Sequence, residues 1–238
     1  LYPLECFDWR IPVSKRSAKR CQSLLRQPSF PVVMPSRVVC DFEADVTLPE
    51  MDSTDPRTMR ILVDTENIVL ADDELKQSIG IEDVFDVVRD VSSGVEPSES
   101  EVVSIAFRTG GATDVVSIAS RADNLVQFQG ALYQQALGDT PCGLEHDGNG
   151  DRRELPGERF RLSVTASKLR FVSEADDTAR ITISREAILE FRALSDGNGY
   201  EQRLAVLLIS ERNDELRKTV VQLPSPRHLN LFGRYLKS

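Results

Sequence analysis

Histidine, tryptophan and cysteine are scarce in this chain of 238 residues, which has two His, one Trp and four Cys. The cysteines form no CxxC pair and are widely separated, which favours a reducing compartment over a disulfide framework: Cys6, Cys21, Cys40 and Cys142. No run reaches the about 18 apolar residues that a membrane span needs. We therefore expect a cytoplasmic protein without membrane insertion.

The sequence also lacks a recognisable set of catalytic or cofactor-binding residues. His228 falls in the first turn of the last predicted helix, where we expect a solvated polar residue, and no nucleophile is tied to it by sequence. Cys142 and His146 have a spacing that a metal can use, but two ligands do not make a zinc site. Phosphate-cradling glycine motifs are absent. We predict no enzyme activity, no cofactor and no metal.

Acidic residues come close to a calcium-loop pattern without completing it. Four residues, three of them acidic, match positions 1, 3, 5 and 12 of such a loop: Asp147, Asn149, Asp151 and Glu158. Arg152 occupies position 6, where the sharp turn requires glycine, and Leu155-Pro-Gly157 prevents an exit helix. The pairs Asp72-Asp73 and Asp176-Asp177 are predicted to be solvated turn residues.

Charge is unevenly distributed along the chain, whose net charge is -9. Residues 1–33 hold six basic and two acidic side chains, which gives +4 and leaves -13 for the remainder. A body this acidic repels phosphate backbones, so we expect no nucleic-acid partner. Lysine is rare beyond residue 33 and carboxylates are frequent. This balance favours a halophilic surface, although a GC-rich genome would also favour arginine over lysine.

Residues 1–33 have no sustained apolar period and contain four prolines and Trp9. The apolar run of a signal peptide, about 7–15 residues, is absent. Three interpretations are open: translated sequence upstream of a start at Met34, a basic tail that binds an acidic partner, or part of the fold. We favour the first, a non-native or disordered extension, because the patterned sequence begins directly after Met34-Pro-Ser.

The remaining sequence contains two copies of one pattern. Each copy has a predicted tight hairpin followed by an apolar segment, and the hairpins are Arg60–Ala71 and Arg161–Val172. Each copy ends in a predicted helix, and three apolar positions of the two helices are spaced by 104 residues: Leu125 and Leu229, Phe128 and Phe232, Leu132 and Leu236. A period shared by turns, strands and helices indicates a duplicated structural unit.

Each copy is predicted to contain six or seven short antiparallel strands and one C-terminal amphipathic helix. Ser120 with Asp123 resembles a capping box for the first helix, and Ser225 with Pro226 is predicted to begin the second. This layout is typical of a pleckstrin-homology-like barrel. We predict a mainly β protein with two tandem barrels of this type, each closed by its C-terminal helix. The predicted units span 34–140 and 158–238, with a Gly- and Pro-rich linker at 141–157.

Several strings resemble the archaeal taxis adaptor family CheF across nearly all of residues 34–238. Three lie in the first copy: Arg60–Leu70, Ile79–Val87 and Glu101–Phe107. The start after Met34 with Asp41-Phe42, and Phe128–Leu137, are similar to the family's opening and first long helix, and Asn230–Leu236 is similar to the segment that closes its second unit.

The resemblance implies a non-enzymatic adaptor that carries the signal of phosphorylated CheY to the switch proteins of the archaellum motor. This chain departs from the family pattern in two places. Members continue beyond the position of Tyr235-Leu236 into a winged-helix-like segment, and the linker Glu145–Gly157 lacks the expected double-glycine turn. If the contact with CheY uses that further segment, this chain binds only one of the usual partners.

A partner-binding surface is predicted on the exposed side of the last helix: Arg227, Arg234, Tyr235 and Lys237. The alternative is that Tyr235 covers the core and the basic residues complement the helix C-terminus. A lipid or headgroup-binding module is the rival function, because pleckstrin-homology-like barrels take headgroups in basic pockets. Acidic residues in the hairpin loops, such as Asp64, Asp72 and Asp176, argue against it.

Overall fold

A computed structural model of the chain describes residues 37–49, 56–90, 101–148, 151–176, 178–194, 204–212 and 215–238. The predicted extension, residues 1–33, lies outside the described residues. The first half of the described chain contains β1 (Cys40–Thr47), β2 (Arg57–Val63), β3 (Asn67–Ala71), β4 (Lys76–Gly80), a 3-10 turn (Ile81–Asp83), β5 (Val84–Asp90), β6 (Glu101–Thr109), β7 (Ala112–Ser120) and helix α1 (Ala122–Leu137).

The second half repeats this series of elements. It contains β8 (Thr140–Gly148), β9 (Asp151–Val164), β10 (Lys168–Ser173), β11 (Arg180–Ser184), a 3-10 turn (Arg185–Ala187), β12 (Ile188–Leu194), β13 (Ala205–Arg212), β14 (Glu215–Gln222) and helix α2 (Pro226–Lys237). The predicted mainly β fold is therefore confirmed.

Two seven-stranded antiparallel sheets have the same strand order. The first runs β4-β3-β2-β1-β7-β6-β5 and the second β11-β10-β9-β8-β14-β13-β12. Irregular features recur as well: a β-bulge interrupts β5 between Val84 and Asp86 and β12 between Ile188 and Glu190, positions 104 residues apart. Because bulges are specific local features, their shared spacing supports the duplication predicted from the sequence.

The predicted closed barrels are not found among the described residues. In each sheet the fourth and fifth strands are the two end strands, so no hydrogen-bonded ladder joins β4 to β5 or β11 to β12. A 3-10 turn lies between the two strands in each case. Alternating apolar residues predict that a segment is a strand, but they do not say which strands pair, and closure depends on that pairing.

Residues 141–157 were predicted to be a linker without regular structure, and this prediction is wrong, because the described residues of this segment form strands. These residues belong to the antiparallel hairpin of β8 and β9, with Gly148 paired to Asp151 at its tip. Cys142 and Leu144 are buried, as expected for a strand with one face on the core. Glycine and proline in the segment suggested a loop, but β8 has the place in the second sheet that β1 has in the first. The predicted domain boundaries themselves stay a prediction.

Polar residues form the tight turns that the sequence predicted. The Asp64 carboxylate accepts hydrogen bonds from the backbone N–H groups of Glu66 and Asn67, each at 2.7 Å. Asp72 accepts from the N–H groups of Glu74 and Leu75 at 2.8 and 2.7 Å. These bonds lower the pKa of Asp72, with the bond from Glu74 as the largest cause. The carboxylates therefore stabilise turns.

Helix α1 lies against the first sheet and contacts both β9 and α2. Its predicted capping box is not formed, because the N-cap residue is Arg121 and no side chain caps the helix. The helix ends where the Gly138 N–H donates to the Gln134 carbonyl at 3.0 Å. A Cβ atom at Gly138 would lie 2.4 Å from that carbonyl oxygen, so the close approach requires glycine.

The described residues from 37 to 238 belong to one compact unit, and their core is continuous. Phe128 of α1 meets Phe42 of β1 edge-on, with ring centroids 6.0 Å apart. Tyr133 of α1 meets Tyr235 of α2 in a similar way at 5.7 Å. The two helices therefore join the cores of both sheets.

Candidate docking site

Helix α2 begins as the sequence predicted. Ser225 is the N-cap, its hydroxyl oxygen accepts from the His228 N–H at 3.3 Å, and Pro226 occupies the first helical position. Its apolar side is buried through Leu231, Phe232 and Tyr235. The opposite, polar side is where the sequence placed a partner-binding surface.

The polar side of α2 lies along β5 of the first sheet. The Arg227 guanidinium donates from Nε to the Val84 carbonyl at 2.6 Å and from Nη2 to the Ile81 carbonyl at 2.5 Å. The Asn230 side-chain amide donates to the Phe85 carbonyl at 2.7 Å. An end strand presents backbone groups without a strand partner, and α2 donates side-chain hydrogen bonds to two carbonyls of β5, those of Val84 and Phe85, and to the Ile81 carbonyl of the preceding 3-10 turn.

Arg234 extends this contact by one further turn of α2. Its Nε and Nη2 atoms donate to the two carboxylate oxygens of Asp86 at 2.8 and 3.0 Å. The hydrogen bonds to Asp86 raise the pKa of Arg234. Positions 227, 230 and 234 follow the i, i+3, i+7 spacing of one helix face, so a single polar stripe holds α2 on β5.

The other two predicted contact residues have different environments. Tyr235 is only 2% exposed, and its hydroxyl donates to the Thr165 carbonyl at 2.8 Å. The guanidinium of Arg185 lies 5.2 Å from the centre of its ring, and burial raises the Tyr235 pKa. The prediction that Tyr235 lies on the exposed side is therefore wrong, and the alternative that it covers the core is confirmed. Lys237 is exposed.

His228 is partly buried rather than fully solvated. Its Nδ1 atom lies 2.6 Å from the Ser225 hydroxyl oxygen. Burial, with a smaller contribution from the adjacent Arg227 charge, lowers the pKa of the imidazole. The same Ser225 hydroxyl is the N-cap acceptor of α2, so it has a structural role in the helix cap.

We expect this imidazole to make the protein less stable in mild acid. Because the pKa of His228 is lower in the folded chain than the ordinary value of about 6.5, the unfolded chain binds more protons as the pH falls through and below that value. The free energy of unfolding should therefore decrease between about pH 7.5 and 5. Asparagine at this position keeps an acceptor for Ser225 and does not titrate, so His228→Asn should show a smaller decrease in urea titrations at the two pH values. Equal decreases in both proteins would contradict the prediction.

The end strand of the second sheet, β12, occupies the place that β5 has in the first. The residues that α2 contacts on the first sheet have counterparts 104 positions later: Arg185 for Ile81, Ile188 for Val84, Leu189 for Phe85 and Glu190 for Asp86. Leu189 is 57% exposed, and Glu190 is also exposed. Within the described ranges β12 is hydrogen-bonded to β13 alone. We call the outer edge of β12, residues 188–194, the open edge.

Sequence reasoning missed the open edge, although the signal was present in the repeat. The 104-residue period relates Ile79–Val87 to residues 183–191, so the two end strands could have been aligned. The sequence does not reveal that α2 lies on the first of these strands. That contact depends on tertiary packing between residues about 145 positions apart, such as Asn230 and Phe85.

Most of the side chains weighed as metal candidates in the sequence lie outside the described ones. Among the described side chains, no group of three or more His, Cys, Asp or Glu is placed to hold a metal ion. Burial, with a smaller contribution from Glu174, raises the pKa of the Cys142 thiol to about 12, which disfavours the thiolate that a metal would need. Asn149 and Asp177 lie outside the described residues, as do the side chains of His146, Asp147, Asp151 and Glu158. Among described helices, neither is long and apolar enough to cross a bilayer.

These features define a mainly β protein with a duplicated unit, two packed helices and an open edge on the second sheet. A family model described as "Archaeal Chemotaxis signal transduction system protein F" matches residues 38–238, and the chain belongs to this family. The similar protein "Taxis protein CheF2" of Halobacterium salinarum is 24% identical over 207 residues, which cover 86% of this chain and 71% of that protein. The resemblance predicted from the sequence is confirmed, and the chain is a chemotaxis signal-transduction protein.

Proposed function

We propose that this chain is a non-enzymatic cytoplasmic adaptor, which relays the signal of phosphorylated CheY to the switch proteins of the archaellum motor. Family membership supports a role in taxis signalling. An adaptor needs surfaces for docking rather than reactive groups, and the open edge is such a surface. The difference between the two copies carries this proposal, because one end strand is covered by a helix and its counterpart is exposed.

The pleckstrin-homology-like description of each half is also a proposal. It is supported by the order of the seven strands and by the helix that follows the seventh strand in each copy. In such a unit the sheets and helix provide a rigid frame, and binding residues can differ between copies.

We propose that the open edge receives a helix of the partner in the manner of α2 on β5. On the first sheet, arginine and asparagine donors at i, i+3 and i+7 reach two carbonyls of β5, one carbonyl of the preceding 3-10 turn and the Asp86 carboxylate. Glu190 stands in the place of Asp86 on the second sheet, so the acceptor charge is conserved between the copies. The complementary occupant is therefore a helix with basic donors along one face.

Binding to purified partners tests both the function and the surface. The probes are CheY from the same organism, with and without beryllofluoride, and the archaellum switch proteins, titrated against the full chain by calorimetry. Leu189→Glu and Glu190→Lys should each weaken binding of the partner that uses the open edge by about tenfold or more, because one buries a charge and the other reverses one. Neither should change the melting temperature, since both side chains are exposed.

Val115→Glu is the matched control, because Val115 is an exposed apolar residue of an inner strand in the first sheet. It should bind like the unchanged chain. If neither CheY nor the switch proteins bind the unchanged chain, the adaptor function is wrong. If they bind and both open-edge variants retain full affinity, the function stands and the docking surface is wrong. Lys237, the exposed member of the surface first predicted on α2, can be tested in the same titration with Lys237→Glu.

A headgroup-binding module is less well supported as the overall function. Asp64, Asp72 and Asp176 occupy hairpin turns and use their carboxylates within those turns. A negative charge at these positions repels phosphate. These turns should therefore contribute nothing to binding of anionic liposomes in a co-sedimentation assay.

A further inference from the structure

The second sheet contains a cavity of about 290 Å³ between the strands β10 and β11 and the strands β13 and β14. Three basic side chains and one acidic side chain line it: Lys168, Arg212, Arg217 and Glu211. Hydroxyl groups of Ser184 and Ser210 are also part of its wall. The lining therefore has a formal charge of +2 in a chain whose net charge is -9.

The cavity lies where the first sheet has a buried aromatic residue. Strand register relates Ser210, paired with Ile188, to Phe107, paired with Val84. Phe107 is 3% exposed and belongs to the core, whereas Ser210 is a buried polar residue. Replacing a phenyl ring by a hydroxymethyl group leaves space for a small ligand.

The basic residues are likewise specific to the second copy. The same registers relate Arg217 to Asp114, Arg212 to Thr109 and Lys168 to Asn67. Each basic side chain thus stands where the first sheet has a neutral or acidic one. One change in side-chain volume and three changes in side-chain charge between the copies therefore occur around the same cavity.

Arg217 has an unsatisfied donor in this wall. Its Nε atom is buried and has no hydrogen-bond partner among the described residues. Its Nη2 atom lies 3.5 Å from the carboxylate of Glu215, a long contact to an exposed group. A buried donor without an acceptor costs free energy, and an anion in the cavity would supply that acceptor.

We propose that this cavity binds a small phosphate-bearing ligand, with Arg217 and Arg212 on the phosphate oxygens and Lys168 as the third cation. Guanidinium groups suit phosphate because they donate two parallel hydrogen bonds to its oxygens. The volume lies just below the usual range for ligand pockets, about 300–1,000 Å³, so it fits a phosphomonoester with a short carbon chain rather than a nucleotide. None of the open-edge residues 188–194 lines this cavity, so the site adds a ligand to the proposed adaptor.

Titration of the full chain tests the proposal with three probes. Inorganic phosphate and glycerol 3-phosphate are added in calorimetry and in phosphorus NMR, and vesicles with or without phosphatidic acid are tested by co-sedimentation. A soluble ligand gives binding of glycerol 3-phosphate with no preference for the vesicles. A lipid ligand gives binding only to vesicles that contain phosphatidic acid. Absence of binding to all three probes overturns the proposal.

Two variants locate the binding. Arg217→Gln should lower the affinity for the phosphate-bearing probe about tenfold or more. Lys218→Gln is the control, because its side chain lies on the opposite face of β14, and it should leave the affinity unchanged. Ser210→Phe restores the residue of the first copy and should abolish binding by filling the cavity. Each variant is checked for an unchanged melting temperature. Full affinity in a folded Arg217→Gln or Ser210→Phe protein overturns the assignment of this cavity.

Discussion

Replacing Phe232 with alanine should lower the free energy of unfolding by about 3–5 kcal/mol. The Phe232 side chain is completely buried on the apolar side of α2, and its ring is stacked on that of Tyr235 at 6.4 Å. Truncation removes buried apolar surface and leaves a cavity that the surrounding sheet and helices cannot fill. Chemical denaturation monitored by circular dichroism gives the change directly.

Phe128→Ala provides the matched comparison, because Phe128 is the counterpart of Phe232 in the first copy and is also completely buried. We expect a loss in the same range. Val126→Ala, on the exposed side of α1, should change the free energy of unfolding by less than about 0.5 kcal/mol. A loss below about 1 kcal/mol for Phe232→Ala would show that α2 contributes little to the core.

The sequence predicted local structure well where one segment determines it. Apolar spacing identified Phe128 and Phe232 as core residues, and Ser225 with Pro226 identified the start of α2. Short polar turns at Asp64 and Asp72 were recognisable because aspartate accepts hydrogen bonds from the backbone N–H groups that follow it. These features depend on residues only a few positions apart.

Features that depend on pairing between distant segments could not be predicted in the same way. The glycines near Cys142 led to the prediction of a linker where β8 lies. The pairing of this segment with β9 and β14, which makes it a strand, cannot be read from the sequence. Arg227 and Arg234 had the pattern of an exposed basic helix face, and that pattern is identical whether the face meets solvent or a sheet edge.

The two candidate sites became visible by comparing one copy with the other. The open edge differs from its counterpart by the absence of a covering helix in the described chain, and the cavity differs by Ser210 in the place of Phe107. Duplication keeps the frame constant, so a difference at one register position is informative about function. A single copy would have offered no such reference.

Replacing Arg227 with methionine should lower the free energy of unfolding by about 3 kcal/mol, because hydrogen bonds that involve a charged group contribute about 1.5–3 kcal/mol each. Arg227 donates two such bonds, to Val84 and Ile81. The Ile81 carbonyl also accepts from the Val84 N–H, whereas the Val84 carbonyl would lose its side-chain donor. Burial lowers the pKa of Arg227, so part of the gain from these bonds offsets the cost of removing the charge from water.

Arg227→Lys separates charge from geometry in this contact. An ammonium group keeps the charge but cannot span two carbonyls with a planar fork, so the lysine variant should recover less than half of the loss. Lys237→Met on the same helix removes an exposed charge and should have little effect. Denaturation of all three proteins, followed both by helix content and by protection of the β5 amides from hydrogen exchange, tests whether Arg227 holds α2 on the first sheet. If Arg227→Met leaves both the unfolding midpoint and β5 protection unchanged, the polar stripe does not stabilise the contact, and β5 would then be as available to a partner helix as β12.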